Sequence, residues 1–174
     1  TPAFELIEAL QHSLKIPVRA MIRPRAGNFV YSTEELDTIF QAIDHCKRVG
    51  IDGVVFGVLT ARNELDLEMI RELVRYASPL RVTIHKAVDQ TPNPVTSIGS
   101  LLRIPGIHSV LTSGGAQTAY AGINTLQNMI NAASDKVEVI VAGKVTNHNY
   151  EELHTILNAK AYHGRRIVGE LSGQ

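Results

Sequence analysis

Residues 53–87 read GVVFGVLTARNELDLEMIRELVRYASPLRVTIHKA, and the order of patterns within them decides the fold. GVVFGV (53–58) is a short β-branched run that predicts a buried strand. DLEMIRELVRYA (66–77) changes to the helical period, and LRVTIHKA (80–87) returns to strand. A strand, a helix and a second strand in succession make the unit of a parallel sheet, because two parallel strands need a crossover between them.

The same unit extends in both directions. Upstream, AFELIEALQHSL (3–14) places Phe4, Leu6, Ile7, Leu10 and Leu14 near the helical period, and VRAMIR (18–23) is a strand ended by Pro24 and a polar turn. A helix is predicted from about Thr33 to Val49, started by the N-cap chemistry of Ser32-Thr33 with Glu35 and stopped by Gly50. Downstream come a helix at 94–103, strand HSVLTS (108–113), a helix at 117–133, strand VEVIVA (137–142), a helix at 147–159 and strand AYHGRRIV (161–168). Six strands alternate with six helices, their ends expected at Arg23, Val58, Lys86, Ser113, Ala142 and Val168. Strict alternation leaves two architectures open, a (β/α) barrel and an open doubly wound sheet. The barrel is the expected one, as a single domain over 1–174. An eight-stranded barrel needs two further strands, about 35 residues at this unit length. A strand, helix and strand ahead of Thr1 are therefore expected to cover the edges at 18–23 and 161–168, and a homodimer sharing strands is the alternative.

Composition narrows the function classes. Lys plus Arg and Asp plus Glu both number 17, so no global field draws the chain to nucleic acid or an acidic membrane surface, and any charged partner must be recognised locally. No apolar run approaches the roughly 20 residues of a membrane span. The single cysteine, Cys46, makes no internal disulfide, which fits a cytoplasmic setting.

Active sites of barrels lie where strands end and loops begin. In 18–23, Val18, Ala20 and Ile22 share one face, leaving Arg19, Met21 and Arg23 on the other. In 80–87, Val82 and Ile84 face the helices, so Thr83 and His85 point inward. Arg23 and His85 are thus expected at one mouth. The guanidinium fork of Arg23 or Arg25 suits a carboxylate or phosphate, His85 suits proton transfer near neutral pH, and Asp89 stands four residues on, in reach to orient it. The plain alternatives are a surface charge cluster at Arg23-Pro24-Arg25, a hydrogen-bonded barrel histidine and a turn-forming aspartate. Ser113 and Gly114, within Thr112-Ser113-Gly114-Gly115, either cradle an oxyanion or make a tight turn. Gly143 after one strand and His163 in the last belong to what become the seventh and eighth strands if two precede, positions where barrel enzymes commonly hold phosphate. No metal site emerges: Cys46 falls inside a helix, and the seven histidines form no HExxH pair.

The segment Met21-Ile22-Arg23-Pro24-Arg25-Ala26-Gly27-Asn28-Phe29-Val30-Tyr31 resembles the CutC family, whose signature there reads close to MIRPRGGDFxY. The resemblance continues through Thr1-Pro2, Phe56-Gly57-Val58-Leu59, Thr83-Ile84-His85-Lys86-Ala87-Val88-Asp89, Leu111-Thr112-Ser113-Gly114 and Ala161-Tyr162-His163-Gly164. It implies a TIM-like barrel, a cytoplasmic protein and a role in copper homeostasis, with Arg23, Arg25, His85, Asp89, Ser113 and His163 at motif positions. Ala26, Asn28, Lys86 and Lys144 depart from the family pattern, and the cysteines on which its copper-binding proposal rests match positions before Thr1. Two functions are therefore expected to compete: copper handling, with copper bound by the complete protein, and a barrel enzyme for a small anionic substrate.

Overall fold

The structure, a computed structural model, describes residues 1–169. Its elements run α1 (Phe4–Ser13), β1 (Arg19–Met21), α2 (Thr33–Val49), β2 (Gly53–Phe56), α3 (Leu67–Ala77), β3 (Arg81–Ile84), a 3-10 turn (Lys86–Gln90), α4 (Pro94–Leu101), β4 (Ile107–Thr112), α5 (Ile123–Ala133), β5 (Glu138–Val141), α6 (Tyr150–Leu157) and β6 (Ala161–Tyr162). All six strands are parallel, and their order in the sheet is their order in the chain, β1 to β6. A doubly wound sheet reverses its order at a switch point. This one never does, which is the winding of a barrel, here six strands of one.

Capping explains where the helices sit. Ser32 and Glu35 form a reciprocal capping box at the start of α2, and Gly50 ends it in the left-handed conformation. Asp66 caps α3 by accepting the Met69 N–H, and the helix buries Ile70, Leu73, Val74 and Ala77. On the strands, Val54, Phe56, Val82, Ile84 and Val110 are fully buried against the helices. The opposite parity faces the barrel axis. There Arg19 crosses from β1 to hydrogen-bond Thr83 Oγ1 on β3 (3.2 Å) and Ser109 Oγ on β4 (3.1 Å), while its Nε meets Asp52 at 3.0 Å. These hydrogen bonds are what allow a guanidinium and two hydroxyls to sit in a partly closed interior.

Three expected boundaries are corrected. The helix expected from residue 117 begins only at Ile123, because Ala119 donates its backbone N–H to Gly143 O and Gly122 to Thr118 O, tying the segment to the β5 end as a turn. The helix expected from 147 begins at Tyr150, since Asn149 Oδ1 accepts the Thr146 N–H and Thr146 Oγ1 the His148 N–H. The strand expected over 161–168 is only Ala161–Tyr162. His163 N–H makes the next ladder bond, to Val141 O, and the chain then turns outward so that Arg166 bridges to Thr146. Its expected end at Val168 becomes a solvent-exposed loop position.

Candidate functional site

The carboxyl ends of β1 and β3 build one cluster. Arg23 follows β1, and the loop after it folds back so that the Phe29 ring lies under the Arg23 guanidinium at 4.6 Å and against the His85 imidazole at 4.6 Å. Leu59 pins this loop by donating its N–H to Phe29 O. Gly57, at the end of β2, makes room for the imidazole: a Cβ there would stand 2.7 Å from His85 Nδ1. His85 Nδ1 accepts the Ala87 N–H at 3.2 Å, which directs Nε2 away from the 3-10 turn. His85 is 3% exposed. Burial, with a smaller push from the Arg23 charge, outweighs its backbone hydrogen bond and lowers its pKa from 6.5 to about 4, so the ring is neutral at pH 7.

Three buried polar atoms here have no hydrogen-bond partner: Arg23 Nε, Tyr31 Oη and His85 Nε2. Only one other such side-chain atom occurs among the described residues, His45 Nε2, and that one stands 3.4 Å from the Glu8 carboxylate. Tyr31 has its pKa raised by burial, against the lowering effect of the Arg23 and Arg25 charges, so it is a phenol and a donor. Arg25 has a different task. It donates to Glu35 (2.5 Å), Asn28 Oδ1 (3.0 Å) and the carbonyls of Asn28 and Val30, bracing the loop that carries Phe29 and Tyr31.

No hydrogen bond joins Asp89 to His85 among the described residues, so Asp89 does not orient the imidazole, a correction with a plain cause: its carboxylate is already taken. It accepts the Thr112 hydroxyl (2.5 Å), the backbone N–H groups of Ser113 (3.0 Å) and Gly115 (2.9 Å), and the Lys86 ammonium (2.6 Å). Lys86 also donates to Ser113 Oγ, and Gly114 N–H to Thr112 Oγ1. Burial alone would raise the pKa of Asp89. Lys86, Thr112 and the two amides overcome that and hold it below the usual carboxylate range. The Ser113-Gly114-Gly115 turn is therefore an anion cradle occupied by the protein's own carboxylate.

Gly143 and His163 lie together elsewhere on the rim, in a recess after β5 and β6. Cys46 is fully buried on α2, and burial pushes its thiol up to about 11. Among the described residues no three His, Cys, Asp or Glu side chains are grouped to hold a metal ion. Sequence reasoning singled out Arg23 and His85 but missed Phe29, Tyr31 and Lys86 as members of these clusters. The alternation of Arg, Phe and Tyr in RPRAGNFVY was the available signal.

The CutC family model matches residues 1–167. The chain belongs to the CutC family. A CutC family protein of Glaesserella parasuis is 36% identical over 153 residues, 88% of this chain and 63% of its own length. One of Xylella fastidiosa is 34% identical over 163 residues, 94% and 61%. The copper homeostasis protein cutC homolog of Mus musculus is 34% identical over 163 residues, 94% and 60%. The chain thus spans about three fifths of the length of these curated relatives. Among solved structures, CutC from Streptococcus agalactiae superposes with a TM-score of 0.90 at 32% identity, covering 96% of this chain and 82% of that one. The aldolase QR15 superposes at 0.68 with 12% identity, covering 91% and 73%, a likeness of barrel fold alone.

Proposed function

We propose that this chain is part of a cytoplasmic copper homeostasis protein, and that its barrel end binds a small anionic molecule between Arg23, Tyr31 and His85. The observation that carries the reading is the set of three buried polar atoms without a well-formed hydrogen bond, with the Arg23 guanidinium close enough to act on both Tyr31 and His85. Each buried unsatisfied group costs about 1–3 kcal/mol, so three together point to a ligand that completes them. The guanidinium supplies charge and the phenol a hydrogen bond. With Nδ1 accepting the Ala87 N–H, neutral His85 carries its proton on Nε2 and donates a hydrogen bond to the anion.

Copper enters this reading through the family, and the donor set here does not suit Cu(I). That ion favours thiolates and thioethers, whereas Cys46 is buried with its thiol protonated at neutral pH. Copper binding by the complete protein is accordingly assigned to residues other than Cys46.

Two titrations test the proposal. Malonate, a small dicarboxylate, is expected to move the His85 and Tyr31 ring resonances in NMR spectra, with Arg23→Gln weakening the effect roughly tenfold. Unmoved His85 resonances, or an Arg23→Gln variant that binds as the parent does, overturn the anion site. Cys46→Ser is expected to leave Cu(I) affinity unchanged, and a large loss would overturn the assignment of copper away from that thiol.

A further inference from the structure

The loops after β5 and β6 enclose a recess of about 640 Å³, lined in part by Lys144, Thr146, His163, Gly164, Arg165 and Arg166. Three cations and an imidazole line this space, and among the described residues no carboxylate does. Among the described residues, none of Lys144, Arg165 and Arg166 forms an ion pair; the cations that do, such as Arg19, Arg25, Lys86 and Lys160, lie elsewhere. Exposed lysines and arginines are ordinarily solvated singly, on convex surfaces. Here the backbone gathers them.

Two features show that the recess is built by the fold. At Gly164 a Cβ would stand 1.9 Å from Val145 O, so only glycine lets the two loops close on each other. The loops are then tied by the Asn147 N–H to Arg166 O bond (3.1 Å). Lys144 itself sits at φ 58, a left-handed conformation uncommon outside glycine and asparagine, which fixes the direction in which its side chain leaves the loop. The backbone N–H groups of Lys144 and Gly164 donate to no acceptor among the described residues. Cations, a hydroxyl and available amides converging in a concave space are the donors a phosphate takes up.

We propose that this recess binds the phosphate group of a phosphorylated small molecule. It shares no residue with the Arg23–Tyr31–His85 cluster, so it stands or falls independently of the function proposed above. Its position gives the rest of the ligand a direction. Gly143, in the recess wall, packs so closely on Ser113 that a Cβ would lie 2.8 Å from Ser113 Cβ, which places the phosphate next to the Lys86–Asp89–Ser113 network. The volume accommodates a phosphate with a small organic body.

The test uses inorganic phosphate as the probe and the chain as described. Titration is expected to shift the backbone amide resonances of Lys144, Gly164 and Arg166 with saturable binding. The double variant Lys144→Asn, Arg166→Gln removes two charges while keeping a residue tolerant of the left-handed backbone at 144, and is expected to weaken binding roughly tenfold or more. Arg103→Ala, an exposed cation outside the recess, is expected to bind as the parent does. Absence of saturable binding, or equal binding by parent and double variant, would mean an adventitious ion only and would overturn the proposal. A circular dichroism melt close to the parent's confirms that the double variant is folded before its affinity is compared. Displacement of His85 resonances without the recess amides would support the Arg23 site and refute this one.

Discussion

Two neighbouring polar clusters on the same rim follow opposite rules. Around Asp89 the hydrogen-bonding demand is met from inside the chain: an ammonium, two hydroxyls and two amides converge on one carboxylate. Around His85 the demands are left open, with a guanidinium, a phenol and an imidazole each holding an idle buried atom. A saturated network is a joint, which ties the end of β4 to the 3-10 turn after β3. An unsaturated one carries a cost in the free protein that a ligand can remove. The motif residues of both clusters look equally functional in sequence, and only the tally of donors and acceptors separates them.

The largest expected effect comes from breaking the joint. Asp89→Ala strands a buried set of donors, so denaturant unfolding is expected to show a loss of about 3 kcal/mol, at the low end because Lys86 is partly exposed and can turn to water. A loss under about 1 kcal/mol, the level of a surface pair, would mean that the network is not a joint and that the contrast between the clusters is false.

The next effect separates the clusters by pH. His85 has its pKa lowered from 6.5 to about 4 in the folded protein, so the unfolded chain binds the extra proton first as pH falls. Stability is complete above pH 6.5, declines between there and about pH 4, and loses up to about 3 kcal/mol to this group. Asp89, also lowered, surrenders its share only below its ordinary value of 3.8. A His85→Gln variant is expected to flatten the upper window and leave the lower one. An unchanged slope between pH 6.5 and 4 in that variant would refute a buried, neutral His85.

The smallest effect sharpens the geometry. Gly57→Ala places a methyl 2.7 Å from His85 Nδ1 and 3.0 Å from Ala87 Cβ, which is expected to cost about 1–3 kcal/mol. It should shift the His85 ring resonances while leaving those of Thr112 and Ser113 in place. Equal perturbation of both clusters would show that they are one mechanical unit.

Much of this was legible in the chain itself. Alternating β-branched runs and helical periods gave parallel strands, because burial on both faces leaves a strand no polar side to show. Ser32, Glu35 and Gly50 marked α2 because caps are local chemistry, and strand parity put Arg19 and Thr83 on one face, where they meet, because side chains alternate along a regular strand. What sequence could not settle was pairing. Barrel or open sheet depended on strand order, and the short β6 and late start of α5 depended on bonds between residues distant in sequence, such as Ala119 to Gly143 and Thr146 to Arg166. The roles of the site residues were decided at the same level. Arg23 and Arg25 are two positions apart in one motif, yet one keeps an idle Nε and the other donates to Glu35 and the loop carbonyls. Local pattern determines which groups a segment offers, and only the tertiary structure determines which of those offers are taken up.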